Sequence, residues 1–200
     1  MQDTIERPYH HGDLRRAVIE TAMAMLQEGR GWHFTLREVA RRAGVSHAAP
    51  YKHFPDKAAL LTELALVGFD RLREAFEAAN PSHASSVKDE FVGVAQAYIR
   101  FGTANPALYR LMFSTEDKAA NLHLSERAMG AFEVLTALLE RGQAAGVFRR
   151  RPVQGQAAAC WGLCHGITML AIEQLLLPEK VGADAVQAAL AALFEGVAQE

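Results

Sequence analysis

The sequence predicts an all-α protein: an N-terminal three-helix domain containing a helix-turn-helix, followed by a larger C-terminal helical region, with about nine helices in total. Three observations lead there. Apolar residues recur at three- and four-residue spacing from Leu14 to Val197, with no strand alternation, repeat or low-complexity run. The interruptions are short and polar or carry Gly and Pro, as at Asn80-Pro81-Ser82, Asn105-Pro106 and Pro178 to Gly182. Half of the 200 residues are hydrophobic and 22% are charged, a composition that supports a packed core and not a disordered chain.

The first helix is expected over Gly12 to Glu28, where Leu14, Ala17, Val18, Ala22, Met25 and Leu26 form one face and Gly29 and Gly31 end it. Ahead of it, Arg7, Tyr9, His10 and His11 read either as an arm that reaches DNA or as a plain tail. Trp32 and Phe34 belong beneath the next two helices. Thr35 is a hydroxyl N-cap with Glu38 three residues on, the pattern of a capping box. Leu36, Val39, Ala40 and Ala43 face inward, and Arg37, Arg41 and Arg42 face out. Gly44 supplies a left-handed turn, and Ser46 caps a second short helix. Pro50 removes one amide of that helix and crowds the Ser46 carbonyl, so a slightly distorted first turn is expected.

Once Val45, Ala49 and Phe54 turn inward, this second helix leaves His47, Ala48, Pro50, Tyr51, Lys52 and His53 for other work. Small, aromatic and basic groups on a thin helix suit a DNA major groove. The stretch from Thr35 to Lys57 holds five Lys/Arg against two acids, +3, in a chain of net charge -2. Residues 1–58 hold nine Lys/Arg against seven acids, leaving twelve against sixteen in the remainder, so a mildly basic head precedes an acidic body. A helical hairpin with a solvated basic face would share the charge pattern, but it does not require the ordered run of caps, turn and aromatic residues.

Residues 35 to 61, TLREVARRAGVSHAAPYKHFPDKAALL, closely resemble the DNA-binding segment of the TetR family of transcriptional regulators. Gly44-Val45-Ser46, Tyr51-x-His53-Phe54, Asp56-Lys57 and Leu60-Leu61 fall in that family's order and spacing. The lead Pro8 to Arg15 is similar to the opening of one branch of the family. The resemblance implies phosphate contacts from Thr35, Tyr51, His53 and Lys57, and base or groove-wall contacts from Ser46, His47, Ala48 and Pro50, with Arg37 and Lys52 as further backbone contacts. It divides the chain into a DNA-binding domain, 1–58, and a ligand-binding and dimerisation domain, 59–200. It also implies a repressor that leaves a palindromic double-stranded operator when a small-molecule effector binds.

In the body, a long apolar series from Leu60 to Phe76 makes a helix that joins head to body. Further helices are expected at Val87 to Thr103, Pro106 to Phe113, Leu122 to Gly142, Val153 to Leu177 and Asp184 to Val197. The last two are rich in Ala and Gly, and small residues let helix axes approach closely, so they are expected to form a homodimer interface. Large or adaptable groups with few polar handles, Phe91, Tyr98 and Phe132 among them, have the makings of a ligand cavity, and Phe101, Tyr109, Met112, Phe113, Trp161, Cys164, His165 and Met169 are the candidate effector-binding residues. For each one taken singly, ordinary core is the stronger reading. Trp161-x-x-x-His165-Gly166 resembles the signature of a C-terminal ligand-binding domain found in part of the family.

Val153 to Ile172 holds no formal charge and is long enough to span a bilayer, but Gln154, Gln156, His165 and three glycines favour a helix buried among partners. The start MQDTIERPYHH lacks a signal-peptide core, so the protein is expected to be cytoplasmic. No phosphate loop, nucleophile elbow or metal motif is present, and no catalytic role, metal or cofactor is expected. The alternatives are a thiol-based redox sensor using Cys160 and Cys164, or a helical binding module that does not contact DNA.

Overall fold

A computed structural model of the chain describes residues 11–79, 86–114 and 125–198. The expected arm at Arg7, Tyr9 and His10 and the break at Asn80-Pro81-Ser82 lie outside the described residues. Within them the chain is helical: α1 (His11–Met25), α2 (Leu36–Arg42), α3 (Lys57–Ala79), α4 (Val87–Ala104), α5 (Pro106–Phe113), α6 (Glu126–Ala144), α7 (Val153–Ile172), α8 (Pro178–Val181) and α9 (Ala185–Val197).

The head is closed by its caps. The Thr35 amide donates to Glu38 Oε2 at 2.7 Å and the Glu38 amide donates to Thr35 Oγ1 at 3.2 Å, which completes the capping box of α2. Gly44, at φ 69°, then reverses the chain, and the Val45 amide reaches the Ala40 carbonyl at 3.0 Å. A Cβ would strain that conformation, which is why the turn takes glycine. Val18, Leu26, Leu36, Val39 and Phe54 are buried under this turn.

The segment after Ser46 departs from expectation. In place of an α-helix it forms a turn and one 3₁₀ turn, Pro50–Lys52. The amides of Ala49 and His53 donate to Ser46 and Pro50 at 2.9 and 3.0 Å, three residues back. Proline at position 50 has no amide to return to Ser46, so the chain closes the tighter ladder instead.

Helix α3 is the spine. Its 23 residues span about 35 Å. Leu60, Leu61 and Leu64 lie at its head end, and Gly68, Phe69, Leu72 and Phe76 at its body end, all within one continuous buried cluster. It packs on α1 in the head and on α4, α5 and α6 in the body, while α7 covers α4 and α6. The chain's end is tied back by a single antiparallel bridge between Phe148 and Ala198, where the Arg149 amide donates to the Val197 carbonyl at 2.8 Å. Phe148 is fully buried against Phe91 and Phe194, and it lies so close to Gly142 that a Cβ there would run into its ring. Gly142→Ala should therefore cost about 1–3 kcal/mol of stability as overpacking. A denaturant midpoint equal to the parent's would disprove that.

Helix α7 ends earlier than its apolar run. Gln174 adopts φ 56° and the Leu175 amide turns back to the Leu170 carbonyl at 2.8 Å, so the helix stops at Ile172, short of Leu177. The short α8 then occupies part of the expected loop.

Candidate nucleic-acid interface and ligand cavity

The head places Arg37, Arg41, Ser46, His47, Ala48 and Lys52 on its exposed surface, with Tyr51 48% exposed although its ring is large and apolar. Arg37, Arg41 and Lys52 have no ion-pair partner among the described residues, so the surface keeps net positive charge. Arg42 is different. Its guanidinium is bidentate to Glu28 and locks α2 to the end of the first helix.

Three expected site residues are placed otherwise than a simple surface reading gives. Pro50 is buried, because the 3₁₀ turn rolls its ring inward. Thr35 is exposed, but its amide and its hydroxyl both donate to Glu38, at 2.7 and 2.9 Å, so its donors serve the cap. His53 is half-buried, and its Nε2 is enclosed without a hydrogen-bond partner among the described residues. Lys57 is half-buried at the first position of α3, beside Asp56, whose Oδ1 accepts from the Ala59 amide at 2.8 Å. Arg15, at the end of the Pro8 to Arg15 lead, lies over the Phe54 ring at 5.5 Å and pairs with Glu63 at 2.8 Å, contacts that no local pattern signals.

Glu63 also pairs with Arg127 at 3.0 Å, and Arg127 holds Asp70 through further hydrogen bonds. One carboxylate on α3 thus joins α1 of the head to the start of α6 in the body. Helix α5 makes a second link, packing against the turn Leu26–Arg30 that follows α1.

The body holds a half-open cavity of about 340 Å³. Phe69, Leu72 and Phe76 of α3 form one wall, with Phe91, Val94, Ala95 and Tyr98 of α4 beside them. Ala128, Met129, Ala131, Phe132 and Leu135 of α6 face Cys160, Trp161 and Cys164 of α7, and Phe113 and Leu193 complete the lining. Of the expected effector residues, Phe113, Trp161 and Cys164 line this space. Phe101, Tyr109, Met112, His165 and Met169 do not: the first three are buried in the packing around it, and His165 and Met169 are half-buried. Phe91, Tyr98 and Phe132, which the composition of the body also singles out, line the space as well, whereas the spacing of Phe69, Phe76 and the other α6 residues signals only a buried helix face.

Tyr109 and His165 instead build a polar knot at the cavity's edge. Tyr109 Oη lies 2.8 Å from Tyr98 Oη and 2.7 Å from His165 Nδ1, and Trp161 Nε1 donates to Tyr98 Oη at 3.1 Å. Burial raises both tyrosine hydroxyls well above their ordinary range and lowers His165, so all three groups stay neutral at neutral pH. Cys160 and Cys164 are buried and unbonded to each other. No set of three His, Cys, Asp or Glu among the described residues is placed to hold a metal ion, and no described helix is long and apolar enough to cross a membrane.

Two stretches of the chain match known families. Residues 18–64 match the family described as bacterial regulatory proteins, tetR family, and residues 91–193 match the tetracyclin repressor-like C-terminal domain. The nucleoid occlusion factor SlmA of Vibrio vulnificus is 30% identical over 127 residues, which are 60% of this chain and 61% of that protein. A solved protein of unknown function from Rhodococcus sp. RHA1 is 34% identical with a TM-score of 0.82, covering 97% of this chain and 100% of that one. A putative tetR family transcription regulator from Shewanella sp. PV-4 shares the fold at 23% identity and a TM-score of 0.72, covering 94% and 99%. With a matched DNA-binding segment at its head and a matched regulator domain across more than half its length, the chain belongs to the TetR family of DNA-binding transcriptional regulators.

Proposed function

We infer that the protein is a cytoplasmic homodimeric repressor that leaves a palindromic operator when a small molecule enters the body cavity. The observation that carries this reading is the pairing of an exposed cationic turn, just ahead of α3, with an apolar cavity that α3 itself helps to wall. Two heads on a two-fold axis would set their turns in successive major grooves, about 34 Å apart. The mechanism is a change of that spacing. Phe69, Leu72 and Phe76 touch the cavity from α3, and Phe113 touches it from α5, the helix that also abuts the head. A ligand that pushes these walls apart tilts α3 as a lever, and the pairs of Glu63 with Arg15 and Arg127 carry the shift to α1. By linkage, DNA and ligand then weaken each other by the same factor.

In this reading residues 1–58 read DNA and residues 59–200 bind ligand and dimerise. Tyr51, Lys52, Lys57, Arg37 and His53 meet phosphates; Ser46, His47 and Ala48 face base edges; Thr35 and Pro50 shape the turn. Imidazole donates or accepts at a base edge, and the Ala48 methyl suits a thymine methyl.

The test is selection of bound sequences from random duplex DNA, followed by affinity for the winner at two salt concentrations. A two-fold-related consensus whose affinity falls steeply with salt is expected, because phosphate contacts release counterions. Tyr51→Ala should then weaken binding to every sequence, whereas His47→Ala should cost about 1–3 kcal/mol at particular base pairs and change the preferred sequence. Equal losses on all sequences for both variants would refute this division, and the absence of any consensus would refute the operator.

A further inference from the structure

Among the described residues the cavity wall has no charged side chain, and its one hydroxyl is that of Tyr98. Around that oxygen the protons can be counted. If His165 carries its proton on Nε2, Tyr109 donates to His165 Nδ1 along the 2.7 Å contact, Tyr98 donates to Tyr109, and Trp161 donates to Tyr98. One lone pair of Tyr98 Oη is then left to accept. If His165 carries its proton on Nδ1, it donates to Tyr109, Tyr109 donates to Tyr98, and with Trp161 both lone pairs of Tyr98 Oη are filled. Tyr98 then has its own proton to give. Tyr98 Oη also lies 3.2 Å from His165 Nδ1, so other placements of the same protons fit these contacts, and the Tyr98 hydroxyl can present either a lone pair or its proton to the cavity.

The rest of the wall fixes the remainder of the ligand. Phe69, Phe76, Phe113, Phe132 and Trp161 surround the space, and aromatic rings favour edge-to-face and offset packing with another ring. The volume is at the small end of the ~300–1,000 Å³ found for small-molecule sites. An ionised group seated against these rings would give up part of its hydration with no opposite charge among the described lining residues.

We propose that the cavity takes an uncharged aromatic molecule of one or two rings bearing a single hydroxyl or carbonyl oxygen, which is held at Tyr98 Oη. The ligand class rests on the effector reading only for its regulatory meaning; binding is measured separately from DNA release.

The experiment is calorimetric titration of the full chain at neutral pH with naphthalene, 2-naphthol, 2-acetylnaphthalene and 2-naphthoate. The hydroxyl and ketone probes should bind about tenfold more tightly than naphthalene, about 1.4 kcal/mol, and naphthoate more weakly than naphthalene. In Tyr98→Phe, which keeps the ring, both oxygenated probes should fall to the level of naphthalene while naphthalene itself is unchanged. Tightest binding by naphthoate, equal loss of all probes in Tyr98→Phe, or no binding by any probe overturns the proposal. The order of affinities in the parent protein decides it even if the variant does not fold. If the probes bind in the expected order and the operator complex does not loosen, the ligand class stands and the effector reading fails.

Discussion

Gly162→Arg is expected to convert the proposed dimer to monomers and to lower operator affinity by about 10²–10⁴-fold. Helix α7 buries Gln156, Ala157, Cys160, Cys164, Ile167 and Thr168 on one side, and leaves Gly155, Ala158, Ala159 and Gly162 exposed on another. Helix α9, packed beside it, exposes Ala188, Ala191, Ala192 and Gly196. Helix α7 carries no charge on its small-residue stripe, although solvent-facing helix surfaces are ordinarily charged, and on α9 the exposed Glu195 is the one charged residue among the small ones. A two-fold partner would bury both stripes as a four-helix bundle, with axes brought close by the missing side chains. Nothing lies within 4 Å of a Cβ built on Gly162, so arginine fits the single chain and its effect is confined to assembly. Sedimentation should report the monomer, and a short duplex with one half-site should bind parent and variant alike. A variant that remains dimeric with full operator affinity would move the interface elsewhere.

Where local chemistry decides structure, the sequence was readable in detail. Thr35 and Glu38 close the expected capping box because both partners lie within one turn, and Gly44 takes the expected positive φ because few other residues can. The 3₁₀ turn at Pro50–Lys52 was half legible: proline announced a distortion, but whether the following residues recover an α-helix depends on how Ala49, Pro50 and Phe54 pack below. The end of α7 was not legible. Its left-handed residue is Gln174, and glutamine carries no turn signal in the sequence, so the apolar run read on to Leu177. The cavity was legible only as a type of composition. Tyr109 and Phe69 are both buried aromatics at helical spacing; which one faces empty space is fixed by the way α3, α4, α6 and α7 meet, a property of no single element. The knot of Tyr98, Tyr109, Trp161 and His165 joins residues up to 67 positions apart, beyond the reach of any periodicity.

Thiol chemistry gives the second large effect. Alkylation of Cys160 and Cys164 by iodoacetamide in the native protein at neutral pH should run at least about 100-fold slower than alkylation of a free cysteine. The thiolate is the nucleophile, and burial pushes Cys160 up to about 11 and Cys164 up to about 12, from an ordinary 9.0. Two to three pH units lower the thiolate population about 100- to 1,000-fold, before any loss of access is counted. In denaturant both thiols should label at the ordinary rate, which supplies the internal reference. The sign of the pH dependence follows. With folded values above the unfolded one, the neutral thiols add stability that is complete below about pH 9 and is lost as pH rises toward 11 and 12. A disulfide between the two is opposed by geometry as well: residues four apart on an intact helix hold their Cβ atoms about 5–6 Å apart, beyond the ~3.5–4.5 Å of a bridge. Mild peroxide should therefore leave DNA affinity unchanged. Rapid labelling of the folded protein, with reversible loss of DNA binding, would instead make these cysteines the sensor and reduce the apolar cavity to a chamber that shelters them.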